Sequence, residues 1–133
     1  MPTFGRRSIE CLNTCDDRLV YIAHEAIKVI DFSVICGHRT NEEQDALYAQ
    51  GRTEPGRIIT FKRGGESIHN TWPSSAMDFA PYPIDWSDLV RFGVVAGVMK
   101  HIAWQEGLDM FEWGGDWPNF KDYPHVQLRA DND

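Results

Sequence analysis

The stretch Ser67-Ile-His-Asn-Thr-Trp-Pro-Ser-Ser-Ala-Met-Asp78 decides how the rest of the chain reads. It sets His69 and Asp78 nine residues apart, with the turn-forming Asn70-Thr-Trp-Pro-Ser74 between them. From Ser75 the residues alternate as in a strand. Ala76, Asp78 and Ala80 are expected on one face, and Met77 and Phe79 on the other. Asp78 then stands between two small neighbours, with room around it, while the bulky side chains turn to the core. A second histidine, His125, follows Asp122-Tyr-Pro124 near the C-terminus. Pro124 holds Tyr123 extended, so His125-Val-Gln-Leu128 reads as a final strand. His125 and Gln127 share one face of it, and Asp122 lies in the loop just before.

Helices are expected on either side of these strands. The first ten or so residues read as a short docking arm. Asp16 is an N-cap for a helix through about Ile30, with Leu19, Ile22, Ala23, Ala26, Ile27 and Ile30 as its apolar stripe; His24 lies off that stripe. Phe32-Ser-Val-Ile-Cys36 reads as a strand that leaves through the sharp turn Gly37-His-Arg39. Thr40-Asn-Glu-Glu43 is a capping box that starts a helix to about Gln50, closed by Gly51. Ile58-Ile-Thr-Phe61 reads as another short strand. Asp85-Trp-Ser-Asp88 caps a helix to about Glu106, closed by Gly107. Its apolar residues cover most of the circumference, which predicts a central, buried helix. Gly93 and Gly97 within it would admit a close neighbour, and His101 reads as a polar-face residue. Phe111-Glu-Trp113 is a further strand, followed by a turn at Gly114-Gly115.

Composition limits the function classes. The chain has 133 residues, enough for one domain with one core, and no repeat or linker divides it. Its formal charge of -7 argues against nucleic-acid binding, which normally needs a basic stripe. No signal peptide and no membrane span are expected. The three cysteines, Cys11, Cys15 and Cys36, are an odd count that does not suggest a disulfide framework. Reduced thiols are the expectation; a thiolate metal site on Cys11, Cys15 and Cys36 lacks a fourth ligand at finger-like spacing, and Cys36, near Arg39 in the chain, could compete as a soft metal ligand.

Two imidazoles and a carboxylate, with a second carboxylate close by, are the donor set of a catalytic zinc site with an open position. His69, Asp78 and His125 would be the ligands. Asp122, tethered beside a ligand, is the candidate general base and acid. Arg39, leaving a strand end at a glycine turn, is the candidate stabiliser of negative charge; pairing with a structural acid is the alternative for it. Trp113 and Trp117, flanking Gly114-Gly115, can serve either the core or a substrate wall. Spacing by itself does not separate a metal site from ordinary core or surface histidines.

At these residues the sequence resembles the phage L-alanyl-D-glutamate endopeptidases, relatives of the zinc D-alanyl-D-alanine carboxypeptidases and dipeptidases. The shared pattern is Ser67-Ile-His69, Ala76-Met-Asp78 and Asp122-Tyr-Pro-His125. The likeness extends to Gly37-His-Arg-Thr40 with Gln44, to Gly51-Arg-Thr-Glu-Pro-Gly56, to the run from Asp78 to Trp86, and to Trp113-Gly-Gly-Asp-Trp117. It covers roughly residues 4 to 128. The resemblance implies an α+β fold of Hedgehog type, in which a small antiparallel sheet carries the zinc site and packs against about three helices, all in one domain over residues 1–133. It implies one zinc ion on His69, Asp78 and His125, with Asp122 as catalytic acid and base. It also implies Arg39 as an oxyanion or substrate contact, with Ser67, Gln44, Trp113 and Trp117 as further substrate contacts. The His69-to-Asp78 interval is longer than in the dipeptidase branch, and the catalytic acid is Asp where the carboxypeptidases typically have Glu. Both features are similar to the phage branch.

The expected function is therefore a zinc endopeptidase of the endolysin kind, cleaving the L-alanyl–D-glutamate bond of peptidoglycan stem peptides. The alternatives are a D-alanyl-D-alanine carboxypeptidase and a non-catalytic zinc-holding wall-binding module. The enzyme is expected to be a monomer in the host cytoplasm that reaches the wall after holin-dependent release.

Overall fold

The computed structural model describes residues 2–130, which form four α-helices and one four-stranded antiparallel sheet. In chain order these are α1 (Arg6–Leu12), α2 (Asp17–Ile27), β1 (Phe32–Cys36), α3 (Asn41–Ala49), β2 (Ala76–Pro81), α4 (Leu89–Gln105), β3 (Phe111–Trp113) and β4 (His125–Leu128). Two short 3₁₀ turns, Ile68–Asn70 and Gly114–Asp116, complete the set. The strand order is β1-β2-β4-β3. This is the expected α+β architecture, with one helix more than expected.

The extra helix is α1, where a docking arm is expected. Only Ser8 and Leu12 of its seven residues are buried, so it carries no stripe that periodicity could reveal. Its purpose is visible only against the sheet: the Ser8 hydroxyl accepts the backbone N–H of Val34, 3.0 Å away, on edge strand β1. An edge strand leaves backbone groups unpaired, and α1 satisfies one of them.

Local chemistry accounts for the other helices. The Asp16 side chain accepts from the Arg18 amide to start α2. Thr40 and Glu43 make the reciprocal capping box of α3. Asp88 caps α4, and Gly107 ends it with φ +68, a conformation that favours glycine. The core lies between α2, α4 and the sheet, around Leu19, Ile22, Phe79, Phe92, Met99 and Val126.

Three expectations need correction. Helix α4 is not buried all round: Val90, Val94 and Trp104 are exposed, because it packs on α2 and the sheet along one face only. Of its two glycines only Gly93 has a close neighbour, the Trp113 ring of β3, from which a Cβ would sit 3.6 Å; a Cβ on Gly97 would meet nothing. Ile58-Ile-Thr-Phe61 is not a strand. Ile58, Ile59 and Phe61 face solvent with no sheet edge beside them, and β propensity without a pleated surface to pack on does not make a strand. On β2, Ala76 and Ala80 are wholly buried, like Met77 and Phe79. The small neighbours of Asp78 therefore serve packing and do not clear space for a substrate.

The turn after β1 is built without tolerance. A Cβ on Gly37 would fall against the Thr14 hydroxyl, 2.6 Å from the Cys11 carbonyl and 2.8 Å from the Cys15 sulfur. We expect Gly37→Ala to destabilise the fold by about 1–3 kcal/mol, the usual cost of overpacking. Urea unfolding would measure it; a midpoint equal to wild type would show that α1 yields freely.

Candidate metal centre

The sheet register builds the centre. Asp78 on β2 lies directly opposite His125 on β4 and opposite Cys36 on β1. Because strand side chains alternate, a slip of one residue would send Asp78 and His125 to opposite faces. His69 arrives from outside the sheet, on the 3₁₀ turn. Ser67 caps that turn by accepting from the His69 amide, and Asn70 reaches back to the Ser67 amide. The Asn70 amide also donates to the Arg39 carbonyl at 2.9 Å, and the Arg39 amide donates to the His69 carbonyl at 2.9 Å. These bonds lock the His69 turn onto the segment leaving β1.

Three side chains converge as a result. Asp78 Oδ1 lies 3.3 Å from His69 Nε2 and 3.3 Å from His125 Nδ1. One ligand atom from each residue lies within 4.8 Å of the others. Both histidines are buried, and their ring centroids are 5.1 Å apart. The His69 Nδ1 lies 2.7 Å from the Gly37 carbonyl, which can only accept; that nitrogen keeps a proton, and Nε2 faces the centre as the nitrogen that a metal would take. Two ring nitrogens and one carboxylate oxygen, aimed at a common point and oriented from behind, fit a divalent metal ion of the zinc type.

Charges at the centre are strongly coupled. Burial opposes a charge on His69. The hydrogen bonds to Asp78 and Cys36 and the Asp78 charge outweigh it, pushing the ring up to about 9 from an ordinary 6.5. Burial would likewise raise Asp78, but its bonds with His125 and His69 hold the carboxyl well below the usual range. Asp122 is shifted the other way. Burial, then repulsion from Asp78, raises it above the ordinary carboxylate value. Its Oδ2 is 4.0 Å from His125 Nδ1, and half of the side chain is exposed.

The remaining residues singled out in the sequence separate. Arg39 donates from Nη2 to Asp78 Oδ2 at 3.1 Å and from Nη1 to Gln44 Oε1 at 3.1 Å. It therefore pins the carboxylate oxygen that the imidazoles leave free. Gln44 is wholly buried and donates to the Thr60 hydroxyl and the Lys62 carbonyl. A direct substrate contact does not fit that position; Gln44 ties the 60–62 loop to Arg39. Ser67 is spent on its cap. Trp113 donates its indole N–H to the Tyr123 carbonyl and packs against the core, whereas Trp117 lies against the His125 ring with centroids 5.3 Å apart. Of the two tryptophans, only Trp117 touches a ligand. Gly114 explains the glycine pair: a Cβ there would strike the Asp122 carbonyl and sit 3.0 Å from Asp122 Cβ. Asn70 and Gly37 carry weight that sequence reasoning missed. A backbone carbonyl leaves no residue-type signal, and Asn70 read simply as a turn former.

The chain is similar to known proteins over nearly its whole length. The family model described as phage L-alanyl-D-glutamate peptidase matches residues 2–131. The peptidoglycan L-alanyl-D-glutamate endopeptidase CwlK of Bacillus subtilis (strain 168) is 42% identical over 111 residues, covering 80% of this chain and 65% of that protein. The chain thus spans slightly under two thirds of the length of that relative. A crystal structure of the Serratia marcescens L-Ala D-Glu endopeptidase ChiX superposes with a TM-score of 0.73 at 25% identity, over 96% of this chain and 90% of the other.

The raised His69 has a measurable consequence. Its folded value lies above its unfolded one, so its contribution to stability is complete below 6.5 and is lost as pH rises through about 9. We expect the metal-free protein to lose stability across that window. Loading a divalent ion within it should release about one proton, because the metal takes the Nε2 lone pair. Calorimetric titration in buffers of different ionisation enthalpy would count that proton; none released would mean that His69 is already neutral.

Proposed function

Because the chain belongs to the phage L-alanyl-D-glutamate peptidase family, we propose that it is a zinc-dependent endopeptidase hydrolysing the L-alanyl–D-glutamate bond of peptidoglycan stem peptides. The observation that carries this reading is the convergence of His69, Asp78 and His125, with the half-exposed Asp122 carboxyl beside them.

His69 Nε2, Asp78 Oδ1 and His125 Nδ1 would hold the ion. When bound, zinc supplies Lewis acidity that polarises a carbonyl and activates water near neutral pH. The protein does the rest. Asp122 stands at the exposed edge of the centre and takes the proton of the attacking water. Its raised proton affinity suits that task. It then returns the proton to the amine of the departing D-glutamate. Arg39 holds Asp78 in place and brings a positive charge next to the centre, which would favour a developing oxyanion. Trp117 walls the site beside His125. Asp78 does not suit the base role, because both of its oxygens are engaged and its proton affinity is held well below the usual range.

The same reading places the enzyme in the host cytoplasm until a holin opens the membrane, after which it acts on the wall as a monomer. Among the described residues no helix is long and apolar enough to cross a membrane.

Digestion of purified muropeptides, read by mass with and without a chelator, tests the activity. The expected products are a glycan fragment ending in L-alanine and a peptide beginning with D-glutamate, both absent with chelator. Loss of terminal D-alanine alone would instead identify a carboxypeptidase, and bound zinc without any cleavage a binding module. Asp122→Asn should keep the metal and lower kcat by roughly 10²–10⁴-fold, the usual contribution of a positioned acid–base group. Unchanged turnover would remove Asp122 from the mechanism.

A further inference from the structure

His125 offers Nδ1 to the centre, whereas His69 offers Nε2. The His69 choice is explained by the Gly37 carbonyl. Among the described residues no backbone carbonyl plays that part for His125. Its Nε2 lies instead 2.7 Å from Gln127 Oε1, two residues on along the same face of β4. A glutamine amide has an accepting and a donating end, and turned over it would present N–H₂ to the ring. The partner would then need the opposite tautomer, with the proton on Nδ1 and nothing left for a metal. Something must therefore hold the amide one way round.

The cross-strand neighbour does so. Glu112 on β3 lies opposite Gln127 in the register. Gln127 Nε2 donates to Glu112 Oε1 at 2.5 Å. An ionised carboxylate accepts only, so the NH₂ end of Gln127 must face Glu112 and the carbonyl end must face His125. The other Glu112 oxygen faces Arg129, with Nε at 3.8 Å, and Arg129 is anchored through the Asp109 carbonyl at 2.8 Å. The chain of polarity runs one way: Arg129 holds Glu112, Glu112 orients Gln127, and Gln127 keeps a proton of His125 on Nε2, so that Nδ1, which faces Asp78, is the nitrogen a metal would take.

We propose that Gln127 and Glu112 are positioning residues that set the tautomer of His125 and so make its Nδ1 the metal-binding atom. The proposal rests on the reading of His69, Asp78 and His125 as metal ligands. Gln127 acts on the ring directly, and Glu112 acts through Gln127.

Two measurements test this. In the zinc-loaded wild type, nitrogen-15 NMR should place the His125 proton on Nε2 and the metal on Nδ1; the reverse assignment overturns the proposal. Zinc affinity, measured by competition with a chelator, should weaken about 10–100-fold in Gln127→Leu, the usual range for outer partners of a ligating histidine. Glu112→Gln, which never touches the ring, should weaken it several-fold because Gln127 is then free to turn. The double variant E112Q/Q127E again presents an acceptor-only group to His125 and should return to within about threefold of wild type. A merely structural role would make the double variant worse than either single change. Wild-type affinity in Glu112→Gln, or no recovery in the double variant, would overturn the relay. Glu112→Gln is nearly isosteric, so it carries the test even if Gln127→Leu does not fold. A wild-type chain that binds no zinc would instead bring down the metal reading, and the proposal with it.

Discussion

Asp78 is the constraint on which the rest of the structure depends. Its carboxylate meets His69, His125 and Arg39 through two oxygens, and each partner comes from a different part of the chain. A charge in so enclosed a position would be expensive unless paired and hydrogen-bonded. The surroundings supply that pairing, and the low proton affinity of Asp78 and the high one of His69 are two expressions of it. In the absence of a metal, one proton on His69 does part of what the ion would do. The site is therefore prepared for a cation before a cation arrives.

That arrangement divides labour between two carboxylates. Asp78 is buried, fully engaged and held ionised. Asp122 is half exposed, unpaired except at 4.0 Å from His125, and raised. Pairs of acids whose environments push their proton affinities apart can take different parts in one site. The fold produces the difference with ordinary means: Asp78 sits mid-strand in a central strand, and Asp122 sits in a loop seated on Gly114. Outer residues follow the same logic. Gly37, Arg39 with Gln44, and Gln127 with Glu112 each stand behind one of the three ligand positions.

Legibility in the sequence tracked the range of the interaction responsible. Caps at Asp16, Thr40 and Asp88 and the strands at Phe32 and His125 depend on residues a few positions apart, and they are readable. Helix α1 is not, because its reason is the unpaired edge of β1 more than twenty residues later. The segment 58–61 has strand composition but no sheet to join. Trp113 and Trp117 look alike in the sequence, yet one is tied to Tyr123 and the core and the other lies on His125. Gln44 reads in the sequence as a substrate contact, whereas its burial and its bonds to Thr60 and Lys62 make it a support.

By itself the sequence determined the chemistry available: which side chains could ligate, which acid could move protons, and the family to which the chain belongs. Those follow from residue types and short spacings, which survive without coordinates. Only the tertiary structure decided which nitrogen of each histidine faces the centre, which oxygen of Asp78 meets the imidazoles and which meets Arg39, and which polar residues stand behind them. The physical reason is that a tautomer is set by the partner on the far side of the ring. For His125 that orientation passes through Gln127 to Glu112, a neighbour supplied by strand register and not by sequence distance.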